Sequence, residues 1–150
     1  MDFLSEQALL YTSEKYESIY QHLRDAYEFK YQDLFLLCAS LGFKKNRTNE
    51  LNGKGRELRT NYFNTKQKAA IYSMILSDQQ IGKNIEAFEE QEFRLNARKK
   101  IETYAEGGMD VLVEEVFRHR WDGHKLDDTY KEYEVDIVSY LYADANEVPF

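Results

Sequence analysis

Along most of the chain, apolar residues recur at spacings of three and four, the period of helices that turn one face to a core. From about Ser5 to Tyr27 the stripe is Tyr16, Ile19, Tyr20, Leu23, Ala26 and Tyr27, opposite a charged face. A second helix, about Tyr31 to Leu41, gathers Leu34, Leu37, Cys38 and Leu41. Gly42 then stands where a left-handed cap belongs, with Phe43 folding back onto it. Asn64 or Thr65 caps a third helix that reaches Asp78 with Ala70, Ile71, Met74 and Ile75 inward, and Gly82 marks a turn. A longer helix from about Ile85 to Tyr104 carries Phe93, Ala97, Ile101, Tyr104 and Ala105, and the Glu-Gly-Gly run at 106–108 closes it. The next begins near Met109 with Leu112, Val113, Val116 and Phe117. After the break at 120–128, Asp127 or Asp128 caps a last helix bearing Tyr130, Ile137, Tyr140 and Leu141.

This pattern predicts an all-α fold, a compact bundle of about five to six helices. The only proline is Pro149, so no helix before it is forced to break. The exception is 49–63, where Asn52-Gly53 is a hairpin-type turn signal and short strands are expected on either side of it or over Glu57 to Phe63. No repeat, low-complexity tract or linker divides the chain, and 150 residues at 43% hydrophobic suit one domain, 1–150. Aromatic residues at 15% give that domain the area for a core. The single Cys38 excludes an internal disulfide and fits a reducing compartment. The N-terminus lacks the pattern of a signal peptide, and no apolar stretch approaches the length of a membrane span, so a cytoplasmic protein without membrane contact is expected.

Charge sharpens the picture. The formal net charge is -7, yet between Gly42 and Lys68 lie Lys44, Lys45, Arg47, Lys54, Arg56, Arg59, Lys66 and Lys68 against Glu50 and Glu57, a local balance of 8 − 2 = +6. The remaining 12 basic and 25 acidic residues give −13. Screening over about 8–10 Å lets such an island attract anions despite the acidic total. Arginine forks match phosphate geometry, Gly53 and Gly55 allow backbone amides to approach an anion, and Asn46, Thr48, Asn49, Asn52, Thr60 and Asn61 add neutral partners for phosphate and sugar. Tyr62 and Phe63 are available to stack or pack. The spacing in "GKGRELRT" does not fit a Walker loop, so nucleotide hydrolysis is not expected. The plain alternative is a solubilising loop.

Catalytic patterns are weak. His119 and His124, with Asp122, Asp127 and Asp128 nearby, are spaced by five, which does not align them on one helical face, and no third metal ligand follows from pattern. Cys38 lies on an apolar face that disfavours a thiolate. The acid pairs Glu89-Glu90, Glu114-Glu115 and Asp127-Asp128 diverge on a helix and read as solvated faces. Gly107 and Gly108 read as a cap between two helices, with the close approach of a partner backbone as the other reading. No cofactor and no metal are expected.

The segment Tyr31 to Phe63, "YQDLFLLCASLGFKKNRTNELNGKGRELRTNYF", with "IETYAEGGMDVL" further on, resembles the DndE-like and Dnd-associated small proteins of bacterial DNA phosphorothioation and phage-defence loci. The resemblance implies a small, compact helical accessory subunit that binds DNA and associates with itself or with larger proteins. It makes Lys44, Lys45, Arg47, Lys54, Arg56 and Arg59 DNA-contacting candidates, to which the charge count adds Lys66 and Lys68. The acidic portion from Asp110 onward has no counterpart in the minimal DndE-like core. The expectation is therefore a non-enzymatic subunit of an anti-phage or DNA-modification assembly. Its basic loop would contact nucleic acid, and its acidic helices would dock a larger partner such as an ATPase or nuclease. A protein-interaction or regulatory module without nucleic-acid contact is the alternative. A homo-oligomer is also allowed, with Tyr130, Tyr133 and Tyr140 offering interface rings.

Overall fold

The computed structural model describes residues 4, 8–78 and 90–146. Its elements run β1 (Leu9–Tyr11), α1 (Glu17–Tyr27), α2 (Tyr31–Lys45), β2 (Glu57–Arg59), α3 (Thr65–Ser77), α4 (Gln91–Leu112) and α5 (Tyr133–Ala145). The all-α expectation holds, with a small two-stranded ribbon set against five α-helices among the described residues. The expected turn at Gly82, the helix start at Ile85, and Ser5, Glu89 and Pro149 lie outside the described residues.

The first helix is shorter than its apolar stripe predicts. Tyr16, Ile19, Tyr20 and Leu23 are buried, but Ala26 is exposed, and α1 begins only at Glu17. Leu9–Tyr11 forms a strand instead, because the following Thr12 and Ser13 are buried and engage other parts of the chain. Strand β1 pairs antiparallel with β2 in the register Leu9↔Arg59, Leu10↔Leu58 and Tyr11↔Glu57. A strand therefore forms within the expected Glu57 to Phe63 stretch, but its partner is the N-terminal segment and not a hairpin mate across Asn52-Gly53.

The centre of the fold is α2 packed along α4. Gly42 does not cap α2: the helix continues to Lys45, and Asn46 takes the left-handed position at φ 53°. Likewise α4 does not stop at Gly107-Gly108 but runs through them to Leu112. Both departures have one cause. A Cβ at Gly108 would collide with the carbonyl of Cys38, one at Gly107 with the carbonyl of Arg47, and one at Gly42 with the carbonyl of Tyr104. Gly42 and Gly108 let two helices cross at backbone contact, and the close approach that Gly107 permits is to Arg47 and Thr48 just past α2. Phe35, Cys38, Ala39, Ile101, Met109 and Leu112 fill the core around this crossing.

Asn64 caps α3 as expected. Its side chain accepts from the Gln67 amide at 2.9 Å, while the Gln67 side chain accepts from the Asn64 amide at 2.9 Å. Ile71, Met74 and Ile75 point inward. Beyond α4 the chain widens into a π-helical turn (Val113–Phe117) and then tightens into a 3-10 turn (Arg118–Arg120). The last helix starts later than predicted, at Tyr133. Asp127 holds a turn instead, accepting from the Thr129 amide at 3.0 Å and hydroxyl at 2.7 Å. Tyr133 is fully buried and donates to the Asp127 carbonyl at 2.7 Å, so it is a core residue and not an interface ring.

Candidate functional site

The basic island does not form one loop. Its first part folds back on the acidic helices. Asp144 of α5 accepts from Lys44 Nζ at 2.7 Å and from Lys45, and the two ammonium groups hold its carboxyl below the usual range. Arg47 donates both arms of its fork to Glu114 at 2.9 and 3.0 Å, depressing that carboxyl as well. Asn49 donates to Asp110 at 2.9 Å, and its amide donates to the Thr103 carbonyl at 3.1 Å. Asp110 and Glu114, four residues apart on α4 and the turn after it, receive the segment after α2, while Glu106 four residues earlier bonds with Ser13. Glu114, expected to face solvent, does so at 54% side-chain exposure while it takes the Arg47 fork.

The glycine-bearing middle of the island is likewise engaged from within. The Gly55 amide donates to the Thr12 carbonyl at 2.7 Å, the Thr12 amide donates to the Arg56 carbonyl at 3.0 Å, and the Glu14 amide donates to the Asn52 carbonyl at 3.1 Å. Gly53 sits at φ 72° against the Glu14 side chain. The glycines therefore let the segment lie against residues 12–14, and Gly55 has no amide left to offer an anion.

The side chains of the second part remain on the surface. Lys54 lies 4.4 Å from the centre of the Tyr11 ring and Arg56 4.0 Å from that of Tyr31, while Arg59 and Lys66 are exposed and Lys68 is half-buried. Burial raises the Glu102 carboxyl, which accepts from the Tyr11 amide at 2.7 Å, and Lys54, Arg98 and Lys99 all pull it back down. Arg98 and Lys99 stand one turn before Glu102 on α4, and Lys54 lies over the ring of Tyr11, whose amide bonds that carboxylate. Beside them runs a polar groove lined by Thr48, Asn49, Asn96, Lys99, Lys100 and Thr103, with Glu50. The "NARKK" run at 96–100 is a contributor that the apolar stripe of α4 conceals. Its signal in the sequence is three consecutive cations on a helix otherwise recognised by its buried face.

Phe63 packs in the core near Phe35, with ring centres 6.3 Å apart, whereas Tyr62 is 57% exposed. Burial pushes the Cys38 thiol up to about 12, leaving it protonated. His124 lies in a tight turn where Asp122 accepts from the His124 and Lys125 amides at 2.8 Å each. Among the described residues, no group of three or more His, Cys, Asp or Glu is arranged to hold a metal ion, and no helix is long and apolar enough to cross a membrane.

Fold and surface together define a small helical protein whose basic segment is half latched to its own acids and half presented outward. Residues 11–130 match the family described as DNA sulphur modification system-associated protein 4, and the chain belongs to that family. No curated protein and no solved structure matches it. The Dnd-associated resemblance read from Tyr31 to Phe63 is thereby borne out, and it extends over most of the chain.

Proposed function

We propose that the protein is a non-enzymatic accessory subunit of a DNA sulphur modification assembly, acting in the cytoplasm and contacting the phosphate backbone of DNA. The observation that carries the reading is that Lys54, on the Tyr11 ring, comes to the turn of α4 that carries Arg98 and Lys99, beside a groove lined by Asn and Thr side chains. Cations supply the attraction and neutral amides and hydroxyls supply register, the division of labour usual in backbone contacts. Arg56, Arg59, Lys66 and Lys68 continue the basic segment beyond this centre, whereas Lys44, Lys45 and Arg47 hold the segment in place through Asp144 and Glu114. The acidic helices would dock a larger subunit. On α5, Val135, Val138 and Tyr142 are 56%, 58% and 72% exposed beside Glu134, an apolar stripe edged by acid.

The test is fluorescence anisotropy of a labelled DNA duplex with wild type and K54E/R98E/K99E at low salt. Affinity should fall at least about a hundredfold in the variant, since every cation withdrawn from a phosphate takes with it a share of the electrostatic attraction. Equal binding by both proteins, or none by wild type, would leave the protein-interaction module as the better account.

A further inference from the structure

The ribbon has an open side. In an antiparallel pair, residues alternate between those that bond across the pair and those whose N–H and C=O point away from it. Thr12 bonds across to Arg56 and Thr60 bonds across to Ala8, so the alternation makes Leu10 and Leu58 a bonded pair. Leu9, Tyr11, Glu57 and Arg59 therefore direct their backbone groups outward. Tyr11 confirms this on the β1 side, where its amide leaves the ribbon to reach Glu102. On the β2 side, the Arg59 carbonyl opens the 3-10 turn Thr60–Tyr62, while no backbone group among the described residues pairs with the Arg59 amide or with Glu57.

That free edge is one wall of a cleft of about 630 Å³ whose opposite wall is the junction of α1 and α2. Four cations line it, Arg24, Lys30, Arg56 and Arg59, against Glu28 and Glu57. Arg24 and Arg56 stack on the Tyr31 ring, at 5.3 and 4.0 Å from its centre. Their long stems are thus held in place at the cleft. The exposed Tyr62 and the half-buried Phe29 add apolar surface.

We infer that this cleft takes an extended acidic peptide segment of a partner protein, which adds a third strand to β2. The outward N–H and C=O of Glu57 and the N–H of Arg59 offer two donors and one acceptor in the alternation of a strand edge, the Arg59 carbonyl being taken by the 3-10 turn at Thr60–Tyr62. A nucleic-acid strand would satisfy the amides with phosphate oxygens but would leave the Glu57 carbonyl unanswered and run past Glu28 and Glu57. The excess of cations selects acidic side chains on the incoming strand. The cleft does not include Lys54, Arg98 or Lys99, on which the proposed DNA contact centres, and shares Arg56 and Arg59 with the basic segment that continues from it.

Arg59 permits a test of the backbone itself. Its φ of -82° lies close to proline's range, and its amide makes no bond within the ribbon, so Arg59→Pro removes an outward donor without removing an internal hydrogen bond. The probe is a fluorescein-labelled decapeptide alternating valine and glutamate, titrated against wild type, R59A and R59P. Both variants lose the cation, but only R59P loses the N–H. Expected are binding by wild type, a further loss of about fivefold or more in R59P relative to R59A with matched melting temperatures, and loss of binding when alternate peptide amides are N-methylated. The N-methylated peptide keeps the test decisive should R59P fold poorly. K54E/R98E/K99E should bind the peptide within about twofold of wild type, which separates failure here from failure of the DNA reading. Equal affinities for R59A and R59P with matched melting temperatures, or unchanged binding of the N-methylated peptide, would overturn the inference. So would a labelled oligothymidine binding with Arg59 dependence where the peptide does not bind.

Discussion

Glu106 is a buried carboxyl held out of its ordinary titration range. Its side chain is 5% exposed on α4, where burial pushes the carboxyl up from 4.5 to about 7; a bond with Ser13 opposes that rise and the nearby Asp110 adds to it. Neighbouring Asp110 accepts from Tyr16, whose hydroxyl is raised in turn by burial and by that bond. Between pH 4.5 and 7 the unfolded chain has released the Glu106 proton while the folded chain still holds it. The contribution of this group is therefore complete below pH 4.5 and is lost as pH rises toward 7. Glu106→Gln should remove that dependence. Urea melts at pH 5 and pH 8 should show wild type losing on the order of 2 kcal/mol relative to the variant over the interval. Parallel behaviour of the two proteins would contradict this assignment.

At the scale of elements, the crossing of α2 and α4 organises the rest. Gly108→Ala sets a methyl group against the Cys38 carbonyl, part of the helix backbone and unable to move aside, so a destabilisation of about 3 kcal/mol or outright misfolding is expected. Thermal unfolding indistinguishable from wild type would refute the backbone contact. The Arg47–Glu114 fork is exposed, so a double-mutant cycle should return only about 0.5–1 kcal/mol. A coupling near zero would show that it does not latch the segment. The sequence conveyed the helices because their apolar faces repeat, and it conveyed the Asn64 cap because capping is local. It misplaced the ends at Gly42 and Gly107-Gly108 because glycine serves both termination and close packing, and only tertiary contact distinguishes them. Strand β1 was hidden for a related reason: the partner of Leu9–Tyr11 lies about fifty residues away, beyond the reach of any local pattern.

For the whole molecule, a net charge of -7 conceals a folded arrangement in which acids and bases are sorted by place. The acidic C-terminal portion, expected from the sequence to dock a larger partner, supplies Asp110, Glu114 and Asp144 as internal partners to the end of α2 and the stretch after it. The basic island was legible as a charge count, but its division was not. Which cations face inward depends on where α4 and α5 come to lie. The central claim is that this division leaves DNA contact to Lys54, Arg98 and Lys99 while Lys44 and Lys45 serve the fold. The most direct measurement is the slope of log affinity for a DNA duplex against log salt for wild type, K54Q/R98Q/K99Q and K44Q/K45Q. Taking three cations off phosphates should make the slope shallower by about 2.7 in the triple variant, and the double variant should change it by less than about 1. A double variant that flattens the slope while the triple variant leaves it unchanged would contradict the account.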